Sequence, residues 1–308
     1  MISCQKKKEE ILFIDYSINT SYDFTKALFL NDKAILIGGE HFNVSMIYQL
    51  ENNGQVNEIK IENEQANKQL TAISQANDGT LMTVGYNGKI LISKDSGTHW
   101  DFVQSNTWFD FLGIDFNEKD SAYIVAGAPF NIGQIATCNQ FGEGARTAQE
   151  EFNFVIEDIK FLSNHIGYLC GYGAVMKSYD DGNTWEYLDA KDDYFKAMSW
   201  ENEKEGVVVG YEGCILQTQD GGKQWHIVRN GNNPLLQKIH FKDVANNGAA
   251  LYVAVGEQGK LMMSTNYGKS WSMIKSFTQK DLNGVCFKNE NECLVVGSSG
   301  SIFLLKFE

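Results

Sequence analysis

Seven evenly spaced copies of one strand–turn–strand pattern predict an all-β chain. The fold expected is a seven-bladed β-propeller of four-stranded antiparallel blades, closed by the N-terminal strand completing the last blade. Three observations carry that prediction. An apolar run ending in Gly, then a tight turn often closed by Gly, then a second apolar run recurs with leading glycines at 38, 85, 127, 171, 210, 256 and 297. Their spacings are 47, 42, 44, 39, 46 and 41 residues, enough for four short strands and their turns. A second motif, Ser/Thr-x-Asp/Asn-x-Gly-x-x-Trp, follows four of these units at the same phase. Finally, only two Pro occur in 308 residues, which suits a body whose backbone N–H groups are needed by sheet ladders.

Each unit opens with an apolar or aromatic stretch, as in Phe109 to Phe116, Val155 to Phe161, Phe195 to Trp200 and Ile239 to Val244. These are the expected innermost strands. The run ending in the leading Gly is the second strand, as in Val207-Val208-Val209-Gly210, and the run after the turn is the third. Apolar residues at nearly every position fit strands packed on both faces. The closing Gly supplies the positive φ of a short hairpin. The last unit offers three strands before the chain stops, while Ile11-Leu12-Phe13-Ile14-Asp15-Tyr16 reads as a strand with no unit of its own. Lending that strand to the seventh blade closes the ring and removes exposed edges. Residues 10–308 are therefore expected to form one propeller, with residues 1–9 as a tether.

The second motif is Ser93-Lys94-Asp95-Ser96-Gly97-Thr98-His99-Trp100 in unit two, and it recurs around Asp180, Gly182 and Trp185. Further copies hold Asp220, Gly222 and Trp225, and Asn266, Gly268 and Trp271. The side-chain oxygen of Asp or Asn can accept turn N–H groups, Gly can take the left-handed position, and the Trp can fold back under the turn. Thr137-Cys138-Asn139 with Gly142 is a decayed copy. These residues resemble the Asp-box, or bacterial neuraminidase repeat, in which the turn joins strands three and four of a blade and is structural.

The 26 basic residues include only two Arg, Arg146 and Arg229, against 39 acidic residues, for a formal charge of −13. That balance argues against nucleic acid and against docking on an anionic membrane surface. It also bears on the enzymes among Asp-box propellers. Sialidases hold a substrate carboxylate with three arginines, because the guanidinium fork matches it bidentately. Two Arg cannot build that triad, so a conventional sialidase is excluded.

No other catalytic constellation stands out. Asp110, Asp115, Glu157, Asp158 and Asp243 fall on or near inner strands. They are read as solvated by the channel or bonded to neighbouring blades, rather than as glycosidase carboxylates. The five His lie in different units, and no Cys-x-x-Cys or His-x-His occurs, so no metal and no cofactor is expected. Cys286 and Cys293 flank a short turn and raise the question of a cross-strand bond; the preferred reading is that the cysteines are small buried hydrophobes.

Surface recognition remains. Turns between strands two and three share one face with the loops that link blades. That face is expected to carry Tyr86, Tyr172, Tyr211, Phe130, His41 and Phe42, with Glu212 and Glu257 adding acid. Inter-blade loops bring Trp108, Phe109, Tyr194 and Phe195. Aromatic rings on a rigid concave face make good anchors for a polypeptide or a sugar, or they pack on neighbouring blades and define the turns.

The Gly-x-x-Gly turns with the Asp-box motif, in one seven-bladed ring, resemble the photosystem II stability/assembly factor family from about residue 22 to the end. The resemblance implies a non-catalytic platform for a protein or peptide, with a glycan as the alternative ligand. In that family basic residues are implicated in binding, whereas this chain is acidic and nearly Arg-free. A monomer is expected. Separately, Met1-Ile2-Ser3-Cys4, followed by Gln5 and Lys6-Lys7-Lys8-Glu9-Glu10, resembles the end of a bacterial lipoprotein signal. That implies lipidation at Cys4, a tether in the cell envelope, and membrane contact only through the anchor.

Overall fold

The computed structural model describes residues 11–128, 132–144, 146–147, 152–162, 165–191, 193–231 and 239–307. Cys4, the residue 1–9 tether and Phe130 lie outside them. The described strands form seven four-stranded antiparallel sheets, six of them taking their strands in sequence order from the channel outward. Blade 1 runs Asp23–Phe29, Lys33–Glu40, Val44–Glu51 and Val56–Glu58. The inner strands of blades 2 to 7 are Leu70–Gln75, Asp110–Phe116, Ile156–Phe161, Phe195–Trp200, Phe241–Asn246 and Leu282–Asn289. Blade 7 is the one assembled from both ends of the chain. Its outer strand is Ile11–Asp15, paired with Ser301–Phe307 in a register from Ile11 opposite Phe307 to Asp15 opposite Phe303.

The core is not central. It consists of seven apolar clusters, each joining two neighbouring blades. This explains the missing polar alternation: Val207 and Val209 pack against blade 6, while Val208 between them packs against blade 4. Side chains still alternate with period two, but both faces are buried.

The turn glycines divide into two kinds. The closing ones need a left-handed backbone: Gly88, Gly259 and Gly300 have φ of 67°, 69° and 69°, each after a left-handed Asn87, Gln258 or Ser299. These paired positive φ values make the hairpin turn that matches strand twist. The leading glycines are fixed by close approach instead. A Cβ at Gly38, Gly85, Gly171, Gly256 or Gly297 would collide with a carbonyl oxygen at the start of its own inner strand.

The four Trp motifs fold as turns between strands three and four. In blade 2 the Gly97 N–H donates to Ser93 Oγ at 2.8 Å, the His99 N–H to Asp95 Oδ1 at 2.9 Å, and Trp100 Nε1 to the Gly97 carbonyl at 3.0 Å. Blades 4 and 6 repeat all three bonds through Asp180, Gly182 and Trp185 and through Asn266, Gly268 and Trp271. Blade 5 repeats two of them, Gly222 N–H to Thr218 Oγ1 and Gln224 N–H to Asp220 Oδ1, but the buried Trp225 Nε1 has no partner. In blade 3 Asn139 still accepts the N–H groups of Phe141 and Glu143, without a Trp.

The cysteine pair is settled by register. Cys286 stands opposite Leu294 and Cys293 opposite Phe287, so the two thiols leave opposite faces of blade 7 and no cross-strand bond forms between them. Neither is in a disulfide, nor are the buried Cys138, Cys170 and Cys214.

Candidate functional site at the channel mouth

Every inner strand carries a β-bulge at the same height. Register slips at Phe24/Lys26, Leu70/Ala72, Phe111/Gly113, Ile156/Asp158, Phe195/Ala197, Phe241/Asp243 and Leu282/Gly284. At a bulge two residues oppose one, so consecutive side chains can share a face. The skipped residues Thr25, Thr71, Leu112, Glu157, Lys196, Lys242 and Asn283 form a ring around the channel, directly beneath the mouth turns. The channel encloses about 580 Å³ and is lined by this ring and by the residues that follow it.

The ring has two chemistries. Over blades 7, 1 and 2 it is neutral, and each member clasps the next blade: Asn283 Nδ2 donates to the Phe24 carbonyl at 2.9 Å, Thr25 Oγ1 to Leu70 at 2.7 Å and Thr71 Oγ1 to Phe111 at 2.7 Å. Over blades 4 to 6 it is ionic. Lys196 Nζ lies 2.6 Å from Glu157 Oε2, and the Tyr194 hydroxyl donates to Glu157 Oε1. Lys242 Nζ lies 2.9 Å from Glu257 Oε1, whose other oxygen meets His240 Nδ1 at 2.8 Å. Burial pulls the Glu257 carboxyl up, but Lys242 and His240 outweigh it and hold it below the usual range. Burial, reinforced by Glu157, pushes the Tyr194 phenol well above its ordinary value.

One layer deeper, carboxylates on three inner strands bond to the next blade. Asp115 accepts the Phe161 N–H at 2.8 Å, Asp158 that of Met198 at 3.0 Å and Asp243 that of Val285 at 2.9 Å. Lys160 pairs with Asp115 at 2.9 Å, and Lys26 reaches past blade 7 to Asp243 at 2.6 Å. Burial lowers the Lys26 pKa, but Asp243 and Asp158 more than reverse it. Burial pushes Asp158 up to about 6, against the pull of Lys26 and of the Met198 and Ile159 N–H groups. Asp110 acts higher, accepting the Asn87 N–H of the preceding blade's turn at 3.1 Å. The inner-strand carboxylates thus bond to their neighbours as read from sequence. Among the described residues no group of three His, Cys, Asp or Glu is placed to hold a metal.

The aromatic set divides as well. Phe42, Trp108 and Tyr172 are exposed by 64%, 74% and 54%. Tyr86 is half-buried under His41, ring centroids 3.9 Å apart, and Tyr211 stacks on His240 at 4.3 Å. Tyr194 meets Tyr172 edge-on at 5.2 Å, and Lys196 lies 4.9 Å over its ring. Phe195 and Phe109 are not mouth residues: Phe195 is fully buried between blades 4 and 5, and Phe109 packs on the blade 2–3 core. Glu212 is half-buried on its turn, whose N–H donates to the buried Asp193. The lysines of the channel were absent from the sequence reading. Their signal is positional: Lys196 and Lys242 directly follow the Phe that anchors each inner strand, and Lys26 follows its Phe by two.

This geometry defines a class: a closed seven-bladed propeller whose channel opens under a ring of turns. Within that class, residues 145–235 match the family described as Photosynthesis system II assembly factor YCF48. No curated protein matches the chain. YCF48 from Cyanidioschyzon merolae is similar in structure with a TM-score of 0.75 at 13% identity, covering 96% of this chain and 98% of that one. A structure titled YCF48 bound to D1 peptide gives 0.73 at 15%, with 98% and 96% coverage. A streptogramin B lyase gives 0.77 at 10%, with 97% and 98% coverage. At such identities these likenesses concern the fold.

Proposed function

We propose that this propeller is a non-catalytic assembly platform that presents its channel mouth to a protein partner, received as an extended peptide segment. The observation that carries this reading is the trio of exposed rings, Phe42 and Tyr172 on turns between strands two and three and Trp108 on the loop from blade 2 to blade 3, on the face where the channel opens. Rigid aromatic anchors give contact area at little entropic cost, which favours polypeptide recognition. The similarity to a YCF48 structure bound to a peptide supports the same use of the fold. The matched segment 145–235 also contains blades 4 and 5 and so the Glu157–Lys196–Tyr194 cluster. In this reading Cys4 tethers the platform at the cell envelope, which labelling of the expressed full-length gene product with a radioactive fatty acid would check.

The test is capture of partners from native membranes by the intact protein and by a triple variant, Phe42→Ala, Trp108→Ala and Tyr172→Ala. Those side chains are largely in solvent, so melting should be unchanged while captured partner falls by about a hundredfold, as for loss of two or three interface anchors. Undiminished capture by a folded triple variant would remove the mouth as the docking site.

A further inference from the structure

The channel beneath the mouth is unbalanced in charge. Lys26, Lys160, Lys196 and Lys242 each have a carboxylate of their own, Asp243, Asp115, Glu157 and Glu257 in that order. Asp23 and Asp158 also line the cavity, and neither makes an ion pair among the described residues. Asp23 is engaged by the Ser299 N–H at 2.9 Å, and Asp158 by two backbone N–H groups. Five carboxylates line the cavity, since Glu257 stands above it on its turn, against four lysines, leaving one negative charge in about 580 Å³ of a protein that carries −13 overall.

Two further observations show what that charge suits. Asp158 stands opposite Cys170, one ladder position below the Gly171–Tyr172 turn and one layer deeper than Glu157, which Lys196 and Tyr194 already occupy. The chain also places its own ammonium groups over mouth rings, Lys196 over Tyr194 at 4.9 Å and Lys242 over Tyr211 at 5.8 Å. Ring faces attract cations, and a desolvated carboxylate that makes no direct ion pair is the complement to one. The raised pKa of Asp158 is the expected mark of such a carboxylate.

We infer that the partner segment is basic: an extended peptide that lays a Lys or Arg side chain past Tyr172 and into the channel, with its charged head on Asp158. This rests on the platform reading and names the chemistry of its partner. The acidic surface draws such a segment in, and the aromatic rim holds its stem.

The test is selection from a displayed library of random peptides on the intact protein, at about 0.15 M salt so that distant surface charge is screened. Selected sequences should be enriched in Lys and Arg and depleted in Asp and Glu. They should bind about tenfold more weakly to Asp158→Asn, which keeps an acceptor for Met198, as expected when a charge-assisted bond is lost. Leu112→Lys tests the same claim from the other side, since it adds an ammonium at a bulge position where blades 5 and 6 already carry one, and it too should weaken binding. Free spermidine at matching concentration should displace the peptide poorly; full displacement would make a small polyamine the ligand and overturn the peptide. Selection of acidic or uncharged sequences, lost in the Phe42, Trp108 and Tyr172 variant, would overturn the basic partner and leave the platform standing. Selection indifferent to both sets of variants would overturn both.

Discussion

One backbone device serves two ends in two arcs of this ring. Over blades 7, 1 and 2 the bulge residues are Asn283, Thr25 and Thr71, and each spends its side chain on a carbonyl of the next blade. Over blades 4 to 6 the same positions hold Glu157 and Lys196, paired with each other, and Lys242, paired with Glu257 of the mouth turn. A neutral clasp removes a polar group from the channel and adds to stability. Partly exposed ion pairs contribute little stability, so a ring built only to hold blades together has no need of them. The neutral arc is also where the two ends of the chain meet. Among the bulge residues, those of blades 7, 1 and 2 thus serve closure, and those of blades 4 to 6 are the ones left to meet a ligand's charge.

The largest effect should come from the closure. Deleting residues 10–18 removes Ile11 and Phe13 from the blade 6–7 core and Ile14, Tyr16 and Ile18 from the blade 7–1 core. Even half-buried, such side chains stabilise by roughly 1 kcal/mol each, against a total of about 5–15 kcal/mol. The deletion should unfold or oligomerise the protein, and unchanged melting would break the assignment.

A smaller loss is expected from Thr25→Val, Thr71→Val and Asn283→Leu together, about 1 kcal/mol for each bond. Chemical denaturation should show that loss with peptide affinity unaltered. A loss of affinity there would erase the distinction between arcs.

The charged side predicts a pH effect of similar size. The Asp158 carboxyl titrates near 6 in the folded chain, above the ordinary value of about 3.9. Between those values the native state holds a proton that the unfolded chain has lost. Stability from this group is therefore full below about pH 4 and lost as pH rises through about 6, on the order of 2–3 kcal/mol. Asp158→Asn should remove that fall, read as melting temperature against pH beside the parent protein. A basic ligand bound on Asp158 favours its charged form, as Lys26 does, so it should shrink the fall and move it to lower pH in the same experiment.

The smallest effect separates blade 5 from its neighbours. Trp271 Nε1 donates to the Gly268 carbonyl at 2.9 Å, while Trp225 Nε1 is buried without a partner. Replacement by Phe should therefore cost about 1 kcal/mol less at Trp225 than at Trp271.

The fold was legible because its constraints fall on residues with few substitutes. The closing glycines need positive φ, the leading glycines leave no room for a Cβ, and each Asp or Asn side chain gathers the N–H groups of its turn. The mouth was half legible. Tyr172 and Trp108 are exposed as read, but Tyr86 and Tyr211 are covered by His41 and His240, contacts between turns far apart in sequence. The charged ring was legible only in its acids: Glu157 and the deeper carboxylates fall on inner strands, but their lysine partners carried no signal that was read. Strict alternation puts Glu157 and Asp158 on opposite faces, and Lys242 and Asp243 likewise. The bulges turn both members of each pair into the channel, and a register slip leaves no mark in a single sequence.

The central claim is that a partner docks at the mouth. A photo-crosslinking residue can replace Tyr172 at the mouth or Tyr187 on the outer strand of blade 4, two tyrosines of similar exposure at 54% and 65%. Irradiation of the full chain in its native membranes should yield a discrete adduct from position 172 and none from 187. Adducts from 187 alone would place recognition on the outer rim and contradict the account.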